Sequence, residues 1–270
     1  MRDIAVAVVC YNNEDEVIAF AKHLSQQSII DRIQLIVTCN RCDDYLAFCQ
    51  QIQATLQSSL VYDPGDNLGY IQGCMYGVKE SNTEYAWVMI CNTDIEFKQR
   101  DFFEKSIEDV PDDTWCVGFD IMLSTSGIHQ NPFLKRRPSK GRVNIWRLAY
   151  SCYPLFRLYF ILNEIKPRKS VFDCEESAEV YAVHGSCFII NRNCVNKLLS
   201  ENHDIFMYEE ELLIAEIVYE NRRKCFFNNT IGVLHNENQV TGKIGMKRKQ
   251  KWFKRSFNYL YSRFYSRKRI

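Results

Sequence analysis

Short apolar runs alternate with amphipathic segments over the first 108 residues of the chain, and this alternation is the strongest constraint on its fold. Four runs have the length and composition of buried strands: residues 4–10, 34–39, 60–62 and 86–91. Apolar residues at helical spacing lie between them, from Glu14, over residues 43–57, and from Gly69 to about Lys79. Such alternation is typical of an α/β domain with a mostly parallel sheet covered by helices on both faces. Because 46% of the 270 residues are apolar, the chain can fill a core of that size.

The second half of the sequence alternates less regularly. Strands are predicted at residues 115–123, 180–191 and 224–234, the second of them interrupted by His184, Gly185 and Ser186. Helices are predicted over residues 193–201 and from Phe206 onward. We therefore expect the sheet to continue into this half of the chain.

Polar residues follow several of the predicted strands, where ligands of parallel sheets bind. They are Tyr11, Asn40, Asn67 and Asp94. Asn92, Thr93 and Asp94 end the run 86–91, and their oxygen atoms suit Mg²⁺ or Mn²⁺, which also accept diphosphate oxygens. The alternative is that these three residues form only a polar turn.

The turn before the third predicted helix contains two glycines, Gly69 and Gly73. Glycine lets a ligand approach the backbone closely, and the N-terminus of a helix favours phosphate. A tight strand–helix turn without a ligand explains the same residues. At the first strand end, Asn13 is a candidate N-cap for the helix that begins at Glu14.

The charge is unevenly distributed, although the net charge is only +1. Residues 246–270 carry ten basic residues and no acid, which leaves a net charge of −9 on residues 1–245. Aromatic residues accompany these basic residues, so the tail is predicted to be an amphipathic helix lying on an anionic membrane surface. The alternative is a helix packed on the body of the protein. Residues 131–169 are also basic and aromatic, which suggests an acceptor-side lid or a second membrane contact.

The sequence shows neither an apolar run of membrane-spanning length nor the pattern of a signal peptide. Several of the twelve cysteines lie inside strand-like runs, which indicates a reducing compartment. We expect a cytoplasmic protein that is peripheral on the inner face of the cell membrane.

Six short motifs, in order, resemble glycosyltransferase family 2, the inverting GT-A type, and within it bacterial capsule and O-antigen enzymes such as rhamnosyl- and galactofuranosyl-transferases. They span residues 8–12 (VVCYN), 67–73 (NLGYIQG), 90–94 (ICNTD), 185–186 (GS), 206–211 (FMYEEE) and 233–235 (VLH). The resemblance covers about residues 4–240. It implies a GT-A domain over residues 1–245, with a nucleotide-binding half at about 1–125 and an acceptor half at about 126–245, followed by a basic extension over 246–270.

The resemblance also implies roles for individual residues. Asp94 would bind a divalent metal, Mn²⁺ or Mg²⁺, that bridges the nucleotide diphosphate, and His235 would join the metal shell. Glu211 or Glu210 would be the general base that deprotonates the acceptor hydroxyl, and we favour Glu211. The donor would be a UDP- or dTDP-sugar and the acceptor a saccharide or lipid-linked saccharide. The predicted nucleotide-sugar site comprises Tyr11, Asn12, Asn40, Asp66, Asn67, Gly69, Asn92, Thr93, Asp94 and Gly185.

The sequence departs from the family pattern after the second strand. Residues 38–43 keep only Asp43 of the acids that family members carry near the base or ribose, and Met75 replaces a common asparagine. These departures leave the identity of the nucleotide open.

Two other functions fit parts of the sequence. The basic, aromatic segments are compatible with a nucleic-acid-binding protein, although the acidic body and the polar strand ends argue against nucleic acid as a partner. A non-catalytic domain that binds sugar nucleotides would share the same motifs. Metal-dependent binding of a nucleotide sugar is expected of the transferase and not of a nucleic-acid-binding protein. Transfer of the sugar to an acceptor is expected of the transferase and not of the non-catalytic domain.

Overall fold

Nine strands form one mixed sheet in the computed structural model, which describes residues 2–165, 176–236 and 245–266. The strands are β1 (Ile4–Tyr11), β2 (Ile33–Arg41), β3 (Ser59–Tyr62), β4 (Trp87–Cys91), β5 (Ile95–Phe97), β6 (Thr114–Leu123), β7 (Ala178–Val180), β8 (Cys187–Asn191) and β9 (Lys224–His235). Their order is β3-β2-β1-β4-β8-β6-β9-β5, and β7 pairs with β9.

Six of these strands run in the same direction. β1 is parallel to β2 and β4, β2 is parallel to β3, and β6 is parallel to β9. β8 lies antiparallel between β4 and β6, while β5 and β7 are antiparallel to β9. The prediction of an α/β fold with a mostly parallel central sheet is confirmed.

Helices cover both faces of the sheet. They are α1 (Glu14–Leu24), α2 (Tyr45–Thr55), α3 (Ile71–Glu80), α4 (Phe102–Ile107), α5 (Lys140–Ser151), α6 (Tyr153–Ile165), α7 (Arg192–Ser200), α8 (Glu210–Glu220) and α9 (Met246–Leu260). α1, α2 and α4 pack on one face, against Ile4, Val6 and Val8 of β1. The longer helices of the second half pack with α3 on the other face, against Ala5 and Ala7. β1 is therefore buried on both sides, as its continuous apolar run predicts.

One helix start and one helix cap differ from the sequence predictions. The helix predicted from Phe206 begins at Glu210, because Tyr208 and Glu209 adopt left-handed backbone angles, with φ of 65° and 71°. Asn13 precedes α1, but its side chain does not cap the helix. The Nδ2 and Oδ1 atoms of its side chain make other hydrogen bonds, at the ends of β1 and β4.

The basic tail is helical, and its apolar side is buried in the protein. Phe257 and Leu260 of α9 are buried, as are Phe264 and Tyr265 in the π-helical turn Tyr261–Tyr265 that follows. Phe257 lies against Tyr150 of α5, with ring centroids 5.3 Å apart. This overturns the expectation that the apolar side of the tail lies on lipid, since protein core already covers it. Residues 267–270 of the predicted tail lie outside the described residues.

None of the helices in the described ranges is both long and apolar enough to cross a membrane.

Candidate active site

The ends of three parallel strands meet at one edge of the sheet. In the β1–β2 pair Cys10 lies opposite Cys39, and Ala7 lies opposite Ile90 in the β1–β4 pair. The segments that follow, with Tyr11 and Asn12, Asn40, and Asn92 to Asp94, therefore leave the sheet side by side. The structure thus brings these predicted site residues together, as the parallel topology requires.

Asp94 and His235 come together through the short antiparallel strand β5. Ile95, directly after Asp94, pairs with His235 at the end of β9. The backbone N–H of Asn236 also donates to the carbonyl oxygen of Asp94 at 2.9 Å. These contacts place Nε2 of His235 3.4 Å from Oδ1 of Asp94, and the two side chains are only 5% and 11% exposed.

The chemistry of this pair fits a divalent cation. Nδ1 of His235 lies 2.7 Å from Oε1 of Gln130, and in the tautomer in which Nδ1 donates to that oxygen, Nε2 presents a lone pair. Oδ1 of Asp94 is buried and has no hydrogen-bond donor among the described residues. In that tautomer two electron-rich atoms face each other, an arrangement that a cation between them would stabilise, and the Gln130 contact orients the imidazole for it.

The protein supplies few ligands for such an ion. In the parts of the chain that the structure describes, no cluster of three His, Cys, Asp or Glu side chains could hold a metal. Mg²⁺ and Mn²⁺ commonly use one or two protein ligands together with waters and phosphate oxygens. The Asp94–His235 pair suits an ion that arrives with, or is completed by, a diphosphate.

Thr93 points away from this pair, toward α1. Its hydroxyl donates to the carboxylate of Glu16 and accepts from Nδ2 of Asn13 at 3.0 Å. The side-chain oxygen Oδ1 of Asn13 accepts from the backbone N–H of Tyr11 at 2.7 Å. These bonds explain why Asn13 does not cap α1: its side chain ties the end of β1 to the end of β4. The predicted nucleotide contact of Thr93 remains a prediction, and its side chain here has a structural partner.

Asn40 and Asn67 shape the turn that enters α3. Nδ2 of Asn40 donates to the carbonyl oxygen of Gly69 at 2.8 Å, and its Oδ1 accepts from the N–H of Leu68 at 3.1 Å. Oδ1 of Asn67 accepts from the N–H of Gly69 at 2.9 Å. Both side chains therefore stabilise the turn, which leaves any contact of theirs with a nucleotide as a prediction. Asp66 and Asn12 are exposed at the same edge.

Gly69 must be glycine in this turn. Its φ is +79°, and a Cβ atom there would overlap the carbonyl oxygen of Phe206. The N–H of Tyr70 donates to that same oxygen at 2.9 Å. The turn is thereby attached to the segment that carries the acidic residues Glu209, Glu210 and Glu211.

Gly185 connects this acidic segment to the sheet. Its N–H donates to Oε1 of Glu211 at 3.1 Å, and its carbonyl oxygen accepts from the hydroxyl of Tyr70 at 3.0 Å. A Cβ atom on Gly185 would lie 2.8 Å from Oε1 of Glu211, so a larger residue here would require the Glu211 carboxylate to shift. The next residue, Ser186, accepts from the N–H of Asn92 at 2.8 Å through its carbonyl oxygen. One dipeptide thus links Glu211 to the segment that ends in Asp94.

The three glutamates bind protons more tightly than usual. Desolvation, followed by the charge of Glu211, raises the pKa of Glu210 well above its ordinary range. Desolvation also raises the pKa of Glu211, opposed by backbone N–H groups, including that of Gly185. Burial raises the pKa of Glu209 to about 8. A carboxylate that keeps a stabilising N–H while its pKa is raised is suited to accept a proton near neutral pH.

Aromatic residues of α9 cover the segment before these glutamates. Tyr208 stacks on Phe253 with centroids 4.4 Å apart and rings inclined by 11°. Phe206 lies against Trp252 at 5.3 Å. The hydroxyl of Ser256 donates to the carbonyl oxygen of Met207 at 3.1 Å. The tail is therefore part of the wall of the site.

Sequence reasoning missed four residues that complete the site: Gln130, Tyr70, Tyr208 and Phe253. Gln130 and Tyr70 act through His235 and Gly185, which are distant from them in sequence, so spacing gave no signal for them. The clustering of aromatic residues in the tail was the available signal for Phe253. That signal pointed to an apolar partner without showing which one.

Solved structures with a similar fold are glycosyltransferases. The mannosyltransferase PcManGT from Pyrobaculum calidifontis, in complex with GDP-Man and Mn²⁺, matches with a TM-score of 0.56 and 11% identity over 89% of this chain and 59% of its own. GalNAc-T7 with UDP, GalNAc and Mn²⁺ matches with a TM-score of 0.62 and 12% identity over 87% of this chain and 44% of its own. The chain thus spans about half the length of these structures. No family model and no curated protein matches the sequence. The likeness shows that the chain has the GT-A fold.

Proposed function

We propose that the chain is an inverting glycosyltransferase of the family 2 type. It transfers a sugar from a nucleotide diphosphate donor, a UDP- or dTDP-sugar, to a hydroxyl of a saccharide or lipid-linked saccharide acceptor. The observation that carries the proposal is the link through Gly185 and Ser186, which joins Glu211 to the segment of Asp94 by two hydrogen bonds. A proton acceptor and a cation-binding pair at one edge of a GT-A sheet are what this reaction requires.

The donor end of the site is the Asp94–His235 pair. We propose that these two side chains hold Mn²⁺ or Mg²⁺ together with the donor diphosphate. When bound, such an ion acts as a Lewis acid that offsets the charge on the leaving diphosphate. The Mn²⁺ in the complexes of both similar structures supports a divalent metal here. Tyr11 and Asn12 lie at the neighbouring strand end, where the nucleoside would bind.

The acceptor end of the site is Glu211. Its carboxylate takes the proton of the acceptor hydroxyl while the hydroxyl oxygen forms a bond to the anomeric carbon of the donor. The bond from that carbon to the diphosphate oxygen breaks in the same step, and the diphosphate leaves with the electron pair. Because a single displacement inverts the anomeric carbon, one base suffices and no enzyme nucleophile is needed. The hydrogen bond from Gly185 favours Glu211 over Glu210 as the ionised member of the pair.

The biological setting of the proposal is cell-surface polysaccharide synthesis, of the capsule or O-antigen kind, in the cytoplasm at the inner face of the membrane. The support is the resemblance of the six motifs to enzymes of that type.

Nucleotide binding tests the donor end of the site. We expect calorimetric titration with UDP, dTDP and GDP to show binding of one nucleotide that depends on Mn²⁺. Asp94→Asn should weaken that binding by at least about tenfold, since it removes a charged ligand. Asp101→Asn, a change of an exposed carboxylate on the surface before α4, is the matched control and should bind normally. A folded protein that binds none of the three nucleotides would contradict the proposal.

Turnover tests the base. Release of nucleotide diphosphate from the bound donor should fall by roughly 10²–10⁴-fold in Glu211→Gln, while donor affinity stays unchanged. Glu210→Gln is the matched control for the neighbouring carboxyl and should lose less activity. Full turnover in Glu211→Gln combined with loss in Glu210→Gln would move the base to Glu210. Donor binding without turnover in the wild type would support a non-catalytic binding domain.

A further inference from the structure

Helices α5 and α6 expose large apolar side chains to solvent. Ile145 and Leu148 on α5 are 61% and 63% exposed, and Leu158, Ile161 and Leu162 on α6 are 52%, 41% and 51% exposed. Their spacings of three and four residues place them along one side of each helix. The other exposed large apolar residues of the described chain are scattered over different elements: Leu46, Phe133, Leu199 and Tyr219. A concentration of this kind on two adjacent helices marks an interaction surface.

The exposed side chains are not a consequence of poorly packed helices. Val143, Trp146 and Tyr150 of α5 and Phe156 of α6 are buried on the opposite sides of the same helices. Tyr150 and Phe156 both contact Phe253 of α9, at centroid distances of 5.2 and 5.4 Å. α5 and α6 are therefore firmly attached to the protein through one side and present a second apolar side outward.

The charged side chains that the structure describes on α5 and α6 are all basic, and the one acid in the sequence of these helices, Glu164, comes just before the last residue of α6. From Ile121 to Asn163 the sequence has seven Lys and Arg residues and no Asp or Glu. Four of the basic residues lie exposed on α5 and α6 themselves: Lys140, Arg142, Arg147 and Arg157. α9, which packs on both helices, adds further exposed lysines and arginines and no acid.

This combination selects one kind of partner. A second copy of the chain would bring the same cations against each other, and a nucleic acid would contact the cations but leave the apolar side chains in water. An anionic bilayer offers both parts, because its phosphates lie above a hydrocarbon boundary that accepts apolar side chains.

We propose that the α5–α6 surface, defined by Ile145, Leu148, Leu158, Ile161 and Leu162, docks the protein on an anionic lipid bilayer. The exposed cations of α5, α6 and α9 contact lipid phosphates, and the five apolar side chains enter the headgroup boundary. The membrane contact predicted for the tail is thus reassigned: α9 buries its apolar side in the protein and contributes charge.

Docking of this kind would hold the site close to lipid. α9 joins the α5–α6 surface to the site, because Phe253 contacts Tyr150 on one side and stacks on Tyr208 on the other. The inference that a lipid-linked acceptor reaches Glu211 from this side rests on the proposed function. The docking itself does not depend on that activity.

Vesicle co-sedimentation of the full chain tests the docking. We expect the wild type to pellet with vesicles of about one-third phosphatidylglycerol in phosphatidylcholine, to remain largely unbound with phosphatidylcholine alone, and to dissociate as salt is raised. The triple variant Leu158→Gln, Ile161→Gln, Leu162→Gln should bind at least about tenfold more weakly. Leu46→Gln with Leu199→Gln, two exposed apolar residues on α2 and α7, is the matched control and should bind as the wild type does.

A fluorescent label tests the same surface without altering it. Cys152 is exposed in the single-residue connection between α5 and α6. A polarity-sensitive dye on the wild type should shift to the blue with anionic vesicles, and the same labelling of Cys152→Ser should remove that part of the shift.

Three results would overturn the proposal. One is equal pelleting of the wild type and the triple variant when both show the same melting temperature. Another is the lack of any Cys152-dependent blue shift. The third is a wild-type dimer in sedimentation velocity that the triple variant converts to a monomer, without vesicle binding by either protein, which would assign the surface to self-association. Because the nucleotide titrations use no lipid, failure of the proposed function and failure of the docking are separately visible.

Discussion

Replacing Gly69 with alanine should destabilise the protein by more than the left-handed backbone angle of this residue alone would cost. The left-handed angle, φ +79°, costs an alanine about 1–2 kcal/mol. The added Cβ would also lie 2.7 Å from the carbonyl carbon and 2.9 Å from Cδ2 of Phe206. Backbone on one side of the contact must therefore move, which threatens the hydrogen bonds of Tyr70 N–H to Phe206 and of Asn40 to Gly69. Losing one of them adds about 1–3 kcal/mol, for a total of about 2–5 kcal/mol.

Gly65 offers a matched control in the same loop. Its φ is +76°, but nothing lies within 4 Å of the Cβ position. Gly65→Ala should therefore cost only the backbone term, about 1–2 kcal/mol. Both substitutions change the entropy of the unfolded chain equally, so their difference isolates the contact with Phe206.

Urea unfolding measures this difference through the midpoint, with an unchanged slope showing that the unfolded states are comparable. Gly69→Ala should also reduce donor turnover, because Phe206 belongs to the segment that leads to Glu211. Equal midpoints for the two variants would refute the reasoning. Equal midpoints would mean that position 69 requires glycine only for its backbone angle. They would also mean that the contact between this turn and residues 206–208 contributes nothing measurable to stability.

Two further predictions concern buried charge. Glu216 is fully buried, and its carboxylate accepts two hydrogen bonds from Arg137 at 2.9 Å and one from Tyr181 at 2.6 Å. Because Glu216→Gln would leave the Arg137 charge without its partner, we expect it to lower the free energy of unfolding in urea by about 3–5 kcal/mol. Glu179→Gln, which breaks an exposed pair with Lys224, is the control, and similar midpoints for both would contradict a structural role of the buried pair. Glu209 has a pKa of about 8 in the folded protein against an ordinary 4.5, so the folded state holds its proton more tightly. Stability should fall as pH rises from about 5 to 8, with Glu209 contributing up to about 1.4 kcal/mol per pH unit and Glu210 and Glu211, whose pKa values are also raised, acting in the same direction. Glu209→Gln should therefore reduce the slope, and parallel stability curves for the two proteins would exclude Glu209 as a contributor.

The strands and helices of the first half were predictable because period-two and period-3.6 patterns are local properties of the sequence. β1, β2 and α3 occur within one or two residues of the predicted limits. The start of α8 was not predictable from local sequence. The segment before it, with left-handed angles at Tyr208 and Glu209, contacts the Gly69 turn and α9, which are both remote in sequence. Asn13 illustrates the same limit: it has the composition of an N-cap, but the hydroxyl of Thr93, 80 residues away, binds its amide.

The candidate site shows a similar division. Asp94 and His235 could each be identified as strand-end residues, and the resemblance suggested that they act together. Their 3.4 Å approach depends on the β5–β9 pairing, and the orientation of the His235 ring depends on its hydrogen bond with Gln130. Asn40 and Asn67 lie where the sequence predicts them, but their amides are engaged in the turn before α3.

By itself the sequence determined that this protein is an α/β domain with polar strand ends and a basic, amphipathic tail, because hydrophobic periodicity and charge are read along the chain. Only the tertiary structure decided which surface stays apolar in water. An apolar helix face indicates that something must cover it, and a protein core and a lipid boundary satisfy that requirement equally well. The apolar face of α9 is covered because it packs on Tyr150 of α5. The outward sides of α5 and α6 remain exposed and are the surface in need of a partner.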